Sequence, residues 1–130
     1  MSTEQGNDVE YLTLETRRDR PFSSAARVGN MLYVSGQMGT DDHSNLVPGG
    51  VEAETRQAME NMKTVLEQFG SSLEHVVKVT VMLADIDDWA AMNAIYLPYF
   101  PKHLPARSAL GANGLARGAR IEIECVAVLK

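Results

Sequence analysis

An α+β (mixed α/β) fold is what this sequence predicts, and three observations carry that expectation. Segments with strict apolar alternation are interleaved with two stretches whose apolar residues recur at helical spacing. No internal repeat, low-complexity block or linker divides the chain. Its 130 residues suit one domain, large enough to bury a core without disulfides or a structural metal.

Residues 1–8 have the composition of a loose tail, polar and without apolar period, which leaves residues 9–130 as the domain. Leu12 and Leu14 alternating with Tyr11 and Thr13 predict a first strand, and Arg17, Arg18, Asp19 and Arg20 read as a solvated charged link into Pro21. Ala25 to Val28 and Met31 to Ser35 flank Gly29-Asn30, a two-residue connection suited to a tight hairpin that delivers Ser35-Gly36 to one end of the sheet. Gly36 has no Cβ and admits close approach of a ligand to the backbone, and the Ser35 hydroxyl can donate or accept; a plain strand-ending turn is the alternative. Asp41, Asp42 and His43 sit in a loop rich in Gly, Ser and Asn and read as a turn rather than a metal site.

Val51, Ala58, Met62, Val65, Leu66 and Phe69 form a helical stripe that Gly70 is placed to end, with Met59 and Met62 as adaptable core fillers. Ser71 and Glu74 have capping-box spacing, after which Val77, Val79, Val81 and Leu83 alternate as a strand. Asp85, Asp87 and Asp88 are expected to cap a second helix that buries Met92, Ile95, Tyr96 and Tyr99 and is distorted at Pro98. Pro105 biases its neighbourhood toward extended backbone, so Arg107 leaves a strand or strand edge. Ile121, Ile123, Cys125, Ala127 and Leu129 then share one face of a last strand, with Glu122 and Glu124 on the other. Arg107 and Glu122 are therefore candidates for one pocket, a guanidinium fork to hold a carboxylate and a carboxylate to act on water; a simple salt bridge between them on a solvated face is the competing reading.

A net charge of −5 argues against a protein that lives on nucleic acid or on anionic membrane. The lone Cys125 reads as a packed thiol in a reducing compartment, and the polar start of the chain is not signal-like, so a cytoplasmic protein is expected. Neither a phosphate-binding glycine loop nor a Cys/His metal set is present.

Pro105-Ala106-Arg107-Ser108, the fifteen-residue step to Glu122, and Ile121-Glu122-Ile123-Glu124 resemble the signature of the RidA/YjgF family, the reactive intermediate (enamine/imine) deaminases. Pro21-Phe22-Ser23-Ser24-Ala25, Val34-Ser35-Gly36-Gln37, Leu46-Val47-Pro48-Gly49-Gly50 and Asn93-Ala94-Ile95-Tyr96 agree in order and spacing, so the resemblance runs from about Pro21 to Leu129. It implies a chorismate mutase-like fold, a mixed sheet with both helices on one face, and a homotrimer whose sheets enclose a central barrel with a pocket at each subunit interface. It also implies hydrolysis of 2-aminoacrylate or 2-iminopropanoate to a 2-keto acid and ammonia, without metal or organic cofactor, because the imine is already electrophilic. In that scheme Glu122 is catalytic, Arg107 binds the substrate carboxylate, and Phe22, Ser35, Gly36, Asn93 and Ala109 line the pocket. Phe22 stands where many members carry Tyr, Ala109 where several carry Cys, and Ala116 where a Pro is frequent. A non-catalytic module binding 2-keto or amino acids is the alternative function, and a ribonuclease ranks below both.

Overall fold

In the computed structural model, which describes residues 8–130, the chain runs through β1 (Val9–Leu12), β2 (Ala25–Val28), β3 (Met31–Met38), α1 (Gly50–Gln68), β4 (Val76–Leu83), α2 (Trp89–Tyr96), β5 (Ala106–Gly111) and β6 (Ile121–Val128). The tail expected over residues 1–8 falls outside the described residues, Asp8 excepted. The strands form one sheet in the order β1-β2-β3-β6-β4-β5. All neighbours are antiparallel except β4 and β5, which α2 connects as a crossover. The mixed sheet and the two helices expected from the sequence are both present.

Pleating sends alternate residues to opposite faces, and here one face is packed and the other is open. Leu32, Val79, Val81, Leu83, Ile121, Ile123 and Ala127 are fully buried beneath the helices. Helix α1 closes over them with Ala58, Met59, Met62, Val65 and Leu66, so both methionines are core fillers as the sequence predicts. Gly70 ends α1 at φ +92°, where the Ser71 N–H reaches back to the Leu66 carbonyl at 2.8 Å. Cys125 is buried in the same layer, and burial pushes its thiol up to about 12, which suits a packing role. The open face presents one row across the whole sheet: Tyr11, Ala26, Tyr33, Val126, Lys78 and Ala106.

Several local expectations need correction. The first strand is Val9–Leu12 rather than a run to Leu14, and Leu14 instead follows the strand, its N–H bonding Ser24 Oγ at 3.0 Å. A bulge between Val76 and Lys78 puts Val76 in the core and leaves Val77 exposed. Ser71 caps nothing; it is buried and donates to the Val128 carbonyl at 2.6 Å, while Glu74 pairs with Lys102. Of the three aspartates expected to cap α2, Asp85 instead caps the 3-10 turn Ile86–Asp88 before it, accepting from the Asp87 N–H at 2.9 Å, and Asp88, at the start of α2, makes no side-chain cap. Pro98 does mark a change of helix type, with a 3-10 turn over Leu97–Tyr99. The hairpin at Gly29-Asn30 forms as expected, with Gly29 at φ +59°. Yet Ser35 and Gly36 do not end its second strand. They form a bulge inside β3, between Val34 and Gln37.

Gly39 is where the end of β3 meets α1 most closely, since a Cβ there would stand 2.5 Å from Glu54 Cα and 2.7 Å from the Glu54 carbonyl oxygen. Those are backbone atoms and cannot step aside singly. Gly39→Ala is therefore expected to destabilise by roughly 1 to 3 kcal/mol, the usual range for overpacking. Thermal unfolding checks this; an unchanged Tm would contradict the packing described.

Candidate active site

Arg107 ends a row that is otherwise apolar. Ala25, Val34, Cys125 and Val79 pair in register across β2, β3, β6 and β4, all buried, and the next position in that row, on β5, is Arg107. A cation can occupy it only because β5 is the sheet edge and α2 supplies polarisable cover. The guanidinium carbon lies 4.9 Å from the Tyr96 ring centroid and 5.4 Å from that of Trp89, within cation–π range. Nη1 donates to Asn93 Oδ1 at 2.7 Å, so the helical asparagine faces the arginine rather than solvent. Ala109, two residues on, packs against the core on the same face. No carboxylate among the described residues pairs with Arg107.

Glu122 belongs to the other face. It pairs with Met38 and Met82 and projects away from the helices, half-buried, against the bulge in β3. A Cβ at Gly36 would overlap Glu122 Oε2 and lie 2.9 Å from Cδ, so the missing side chain at Gly36 is what seats the carboxylate. Burial first, and Glu124 second, push the Glu122 carboxyl above the usual carboxylate range. Phe22, Ser24, Gly36 and Glu122 line a cavity of about 130 Å³. Ser35 is not among them; its hydroxyl donates to the Ser23 carbonyl at 2.7 Å and so pins the bulge.

Arg107 and Glu122, the candidates for one pocket, are not brought together within a single chain. Arg107 is level with Cys125, three residues along β6 from Glu122 and with β4 between, which separates the two backbones by about 10 Å along the strands and about 10 Å across them. Their side chains leave opposite faces. The simple salt bridge is excluded on the same ground. One chain holds two separate clusters: Arg107, Asn93 and Ala109 under α2, and Phe22, Gly36 and Glu122 at the bulge.

Sequence reasoning passed over Arg17 and Arg20, which line the Glu122 cavity although the charged link reads as solvated. Arg20 Nη2 donates to Ser44 Oγ at 2.7 Å and Arg117 Nη1 to the Ser44 carbonyl at 2.8 Å. Ser44 (φ +67°) and Arg117 (φ +60°) are the two non-glycine residues with left-handed backbone among the described residues, each a strain on the order of 1 kcal/mol or more. The available signal was proximity to Pro21-Phe22, one step from a site residue. Asp41, by contrast, accepts from the His43 and Asn45 N–H groups at 2.9 and 3.0 Å, which makes that loop a self-bonded turn.

Because the nearest atom to a Cβ at position 36 is the end of a flexible side chain, Gly36→Ala should displace Glu122 rather than unfold the protein. The carboxyl then leaves its desolvated seat. Its NMR titration should fall toward the ordinary value of 4.5; an unmoved midpoint would contradict the seating role of Gly36.

The chain matches the protein family described as endoribonuclease L-PSP over residues 15–129. A mouse protein named 2-iminobutanoate/2-iminopropanoate deaminase is 47% identical over 109 residues, covering 83% of this chain and 81% of its own. Among solved structures, RidA from the Antarctic bacterium Psychrobacter sp. superposes with a TM-score of 0.85 at 32% identity, covering 92% of this chain and 100% of that one. The YjgF gene product of E. coli gives 0.85 at 32% identity, covering 93% and 99%. With motifs, sheet order and near full-length similarity in agreement, the chain belongs to the RidA/YjgF/L-PSP family.

Proposed function

We propose that this protein is an imine deaminase that hydrolyses small 2-imino acids and their enamine tautomers, of the 2-iminopropanoate and 2-aminoacrylate type, to 2-keto acids and ammonia, at sites completed between copies of the chain. One observation carries the proposal: Arg107 and Glu122 stand on opposite faces of one sheet, and among the described residues neither side chain has an ion-pair partner. A homotrimer that brings the edge and helix side of one copy against the open face of the next joins them. The exposed apolar row of Tyr11 and Tyr33 and the unpaired edge of β5 support such assembly, since both gain from cover. The deaminase named in mouse supports the substrate class.

In this reading Arg107 holds the substrate carboxylate bidentately, fixed by Asn93 and the two rings, and the backbone around Gly36 and Ala109 guides the rest. Glu122 takes a proton from water as its oxygen adds to the C=N carbon and passes it to nitrogen, then moves the proton of the resulting hydroxyl to nitrogen as the C=O forms, the C–N bond breaks and ammonia leaves. Its raised pKa brings the base closer to neutrality, where proton transfer in both directions is easier. Phe22 supplies an apolar wall where a hydroxyl would otherwise order water. A cytoplasmic, reducing setting suits the unpaired Cys125. The family description as an endoribonuclease favours a second reading, cleavage of RNA. It is the weaker one, for none of His43, His75 or His103 lines the Glu122 cavity and the chain carries a net charge of −5.

Arg107→Ala is expected to lower kcat/KM for 2-iminopropanoate by roughly 10² to 10³, with only partial rescue by Arg107→Lys, which restores charge without the fork. Glu122→Gln should lower kcat by about 10² to 10⁴ while pyruvate binding stays within a few-fold. Wild-type turnover in both folded variants would reject the assignment. The pH dependence has a definite sign: a base must be deprotonated, so activity is lost as pH falls through the folded pKa of Glu122. That acid limb should lie above 4.5, the unperturbed value, and vanish in the residual activity of Glu122→Gln. A limb at or below 4.5 would contradict a desolvated base.

A further inference from the structure

Arg17 and Arg20 stand at the rim of the Glu122 cavity, and the chemistry above gives them no task. The Arg20 side chain is only 19% exposed, and its firm contact is neutral, the Ser44 hydroxyl at 2.7 Å. Asp19, the carboxylate near it, is 3.8 Å from Nε and itself 82% exposed, a marginal surface pair. Arg17 adds a second positive charge whose hydrogen bond is to the carbonyl of its neighbour Thr16, at 3.3 Å. A covered guanidinium with no buried counter-ion among the described residues is suited to receive an anion.

The rim is also cross-linked through Ser44. Both strained non-glycine residues, Ser44 and Arg117, meet beside Arg20, and Ala116, next to Arg117, lines the cavity as well. Strain concentrated where a guanidinium is held in place is the signature of a positioned group rather than of a loose loop. Glu122 keeps a raised pKa, set by burial and Glu124, which fits arginines that stand across the cavity from it rather than against it.

Resting on the deaminase reading, we propose that Arg20, assisted by Arg17, binds a second carboxylate, so that the preferred substrates are dicarboxylic 2-imino acids such as 2-iminosuccinate or 2-iminoglutarate. The 2-carboxylate sits on Arg107 of the neighbouring copy, the C=N carbon at Glu122, and the distal carboxylate at the rim. The reaction is unchanged and balanced: water adds across C=N, the C–N bond breaks, and nitrogen leaves as ammonia carrying its own hydrogen and two from water. No oxidant or reductant takes part. Rim arginines that instead contact the neighbouring copy are the competing reading.

The test compares 2-iminosuccinate with 2-iminopropanoate, each generated in situ by an amino-acid oxidase, in the wild type, Arg20→Ala, Arg20→Lys and Arg17→Ala/Arg20→Ala. Binding of 2-oxoglutarate and 2-oxobutanoate is measured by calorimetry alongside. Wild type should favour the dicarboxylic substrate, and Arg20→Ala should lower the dicarboxylic-to-monocarboxylic ratio of kcat/KM about ten-fold, with a matching drop in the ratio of affinities and partial recovery in Arg20→Lys. Equal loss on both substrates, a changed oligomeric state, or an unaltered ratio would overturn the assignment. The two claims separate cleanly: selective loss of 2-oxoglutarate binding without turnover of either imine supports the rim and rejects the deaminase, whereas turnover of both imines without discrimination rejects the rim alone.

Discussion

A guanidinium at the end of a buried apolar row is the constraint on which the rest of the structure depends. Ala25, Val34, Cys125 and Val79 define a layer with no room for an ion, and Arg107 can continue it only where the sheet stops. That makes β5 an edge strand. It also requires α2 to cover the charge with ring faces and one amide oxygen instead of aliphatic groups, which explains Trp89, Asn93 and Tyr96 on adjoining turns of one helix. Those contacts offset part of the cost of half-burying a cation, and in the proposed reaction the substrate carboxylate supplies the counter-ion.

The carboxylate half obeys the mirror requirement. Glu122 is desolvated on the open face because the β3 bulge puts a residue without a side chain opposite it, and Ser35 pins that bulge to the preceding segment. A sheet that carries complementary charges on its two faces cannot use them together alone, whereas copies packed edge to face can. In the proposed assembly oligomerisation and catalysis become one property, and the open face with its exposed Tyr11 and Tyr33 is the surface that such packing would cover.

The strand periods, the hairpin at Gly29-Asn30, the α1 stripe and its stop at Gly70 were legible in the sequence, since each depends on local alternation or on one glycine. The positions of Val77 and Ser35-Gly36 were not. Bulges shift every following side chain to the other face without leaving a compositional trace. Arg107, Glu122, Gly36 and Asn93 were identifiable as residues, but their grouping was not, because sharing a pocket depends on sheet order: β4 lies between β5 and β6, and nothing in spacing reveals it. Arg17 and Arg20 escaped for a related reason. A charged link looks solvated until the loop around Ser44 folds against it.

The central claim is that a working site takes its arginine from one copy and its glutamate from another. Subunit exchange tests this directly. Arg107→Ala and Glu122→Gln chains, each nearly inactive alone, are unfolded together and refolded as a mixture, then assayed on 2-iminopropanoate. Random assembly in equal amounts reunites an intact Arg107 with an intact Glu122 at about a quarter of the interfaces, so the account predicts recovery to about a quarter of wild-type activity. Activity that stays at the level of the separate variants, in a mixture that has demonstrably exchanged subunits, would contradict it.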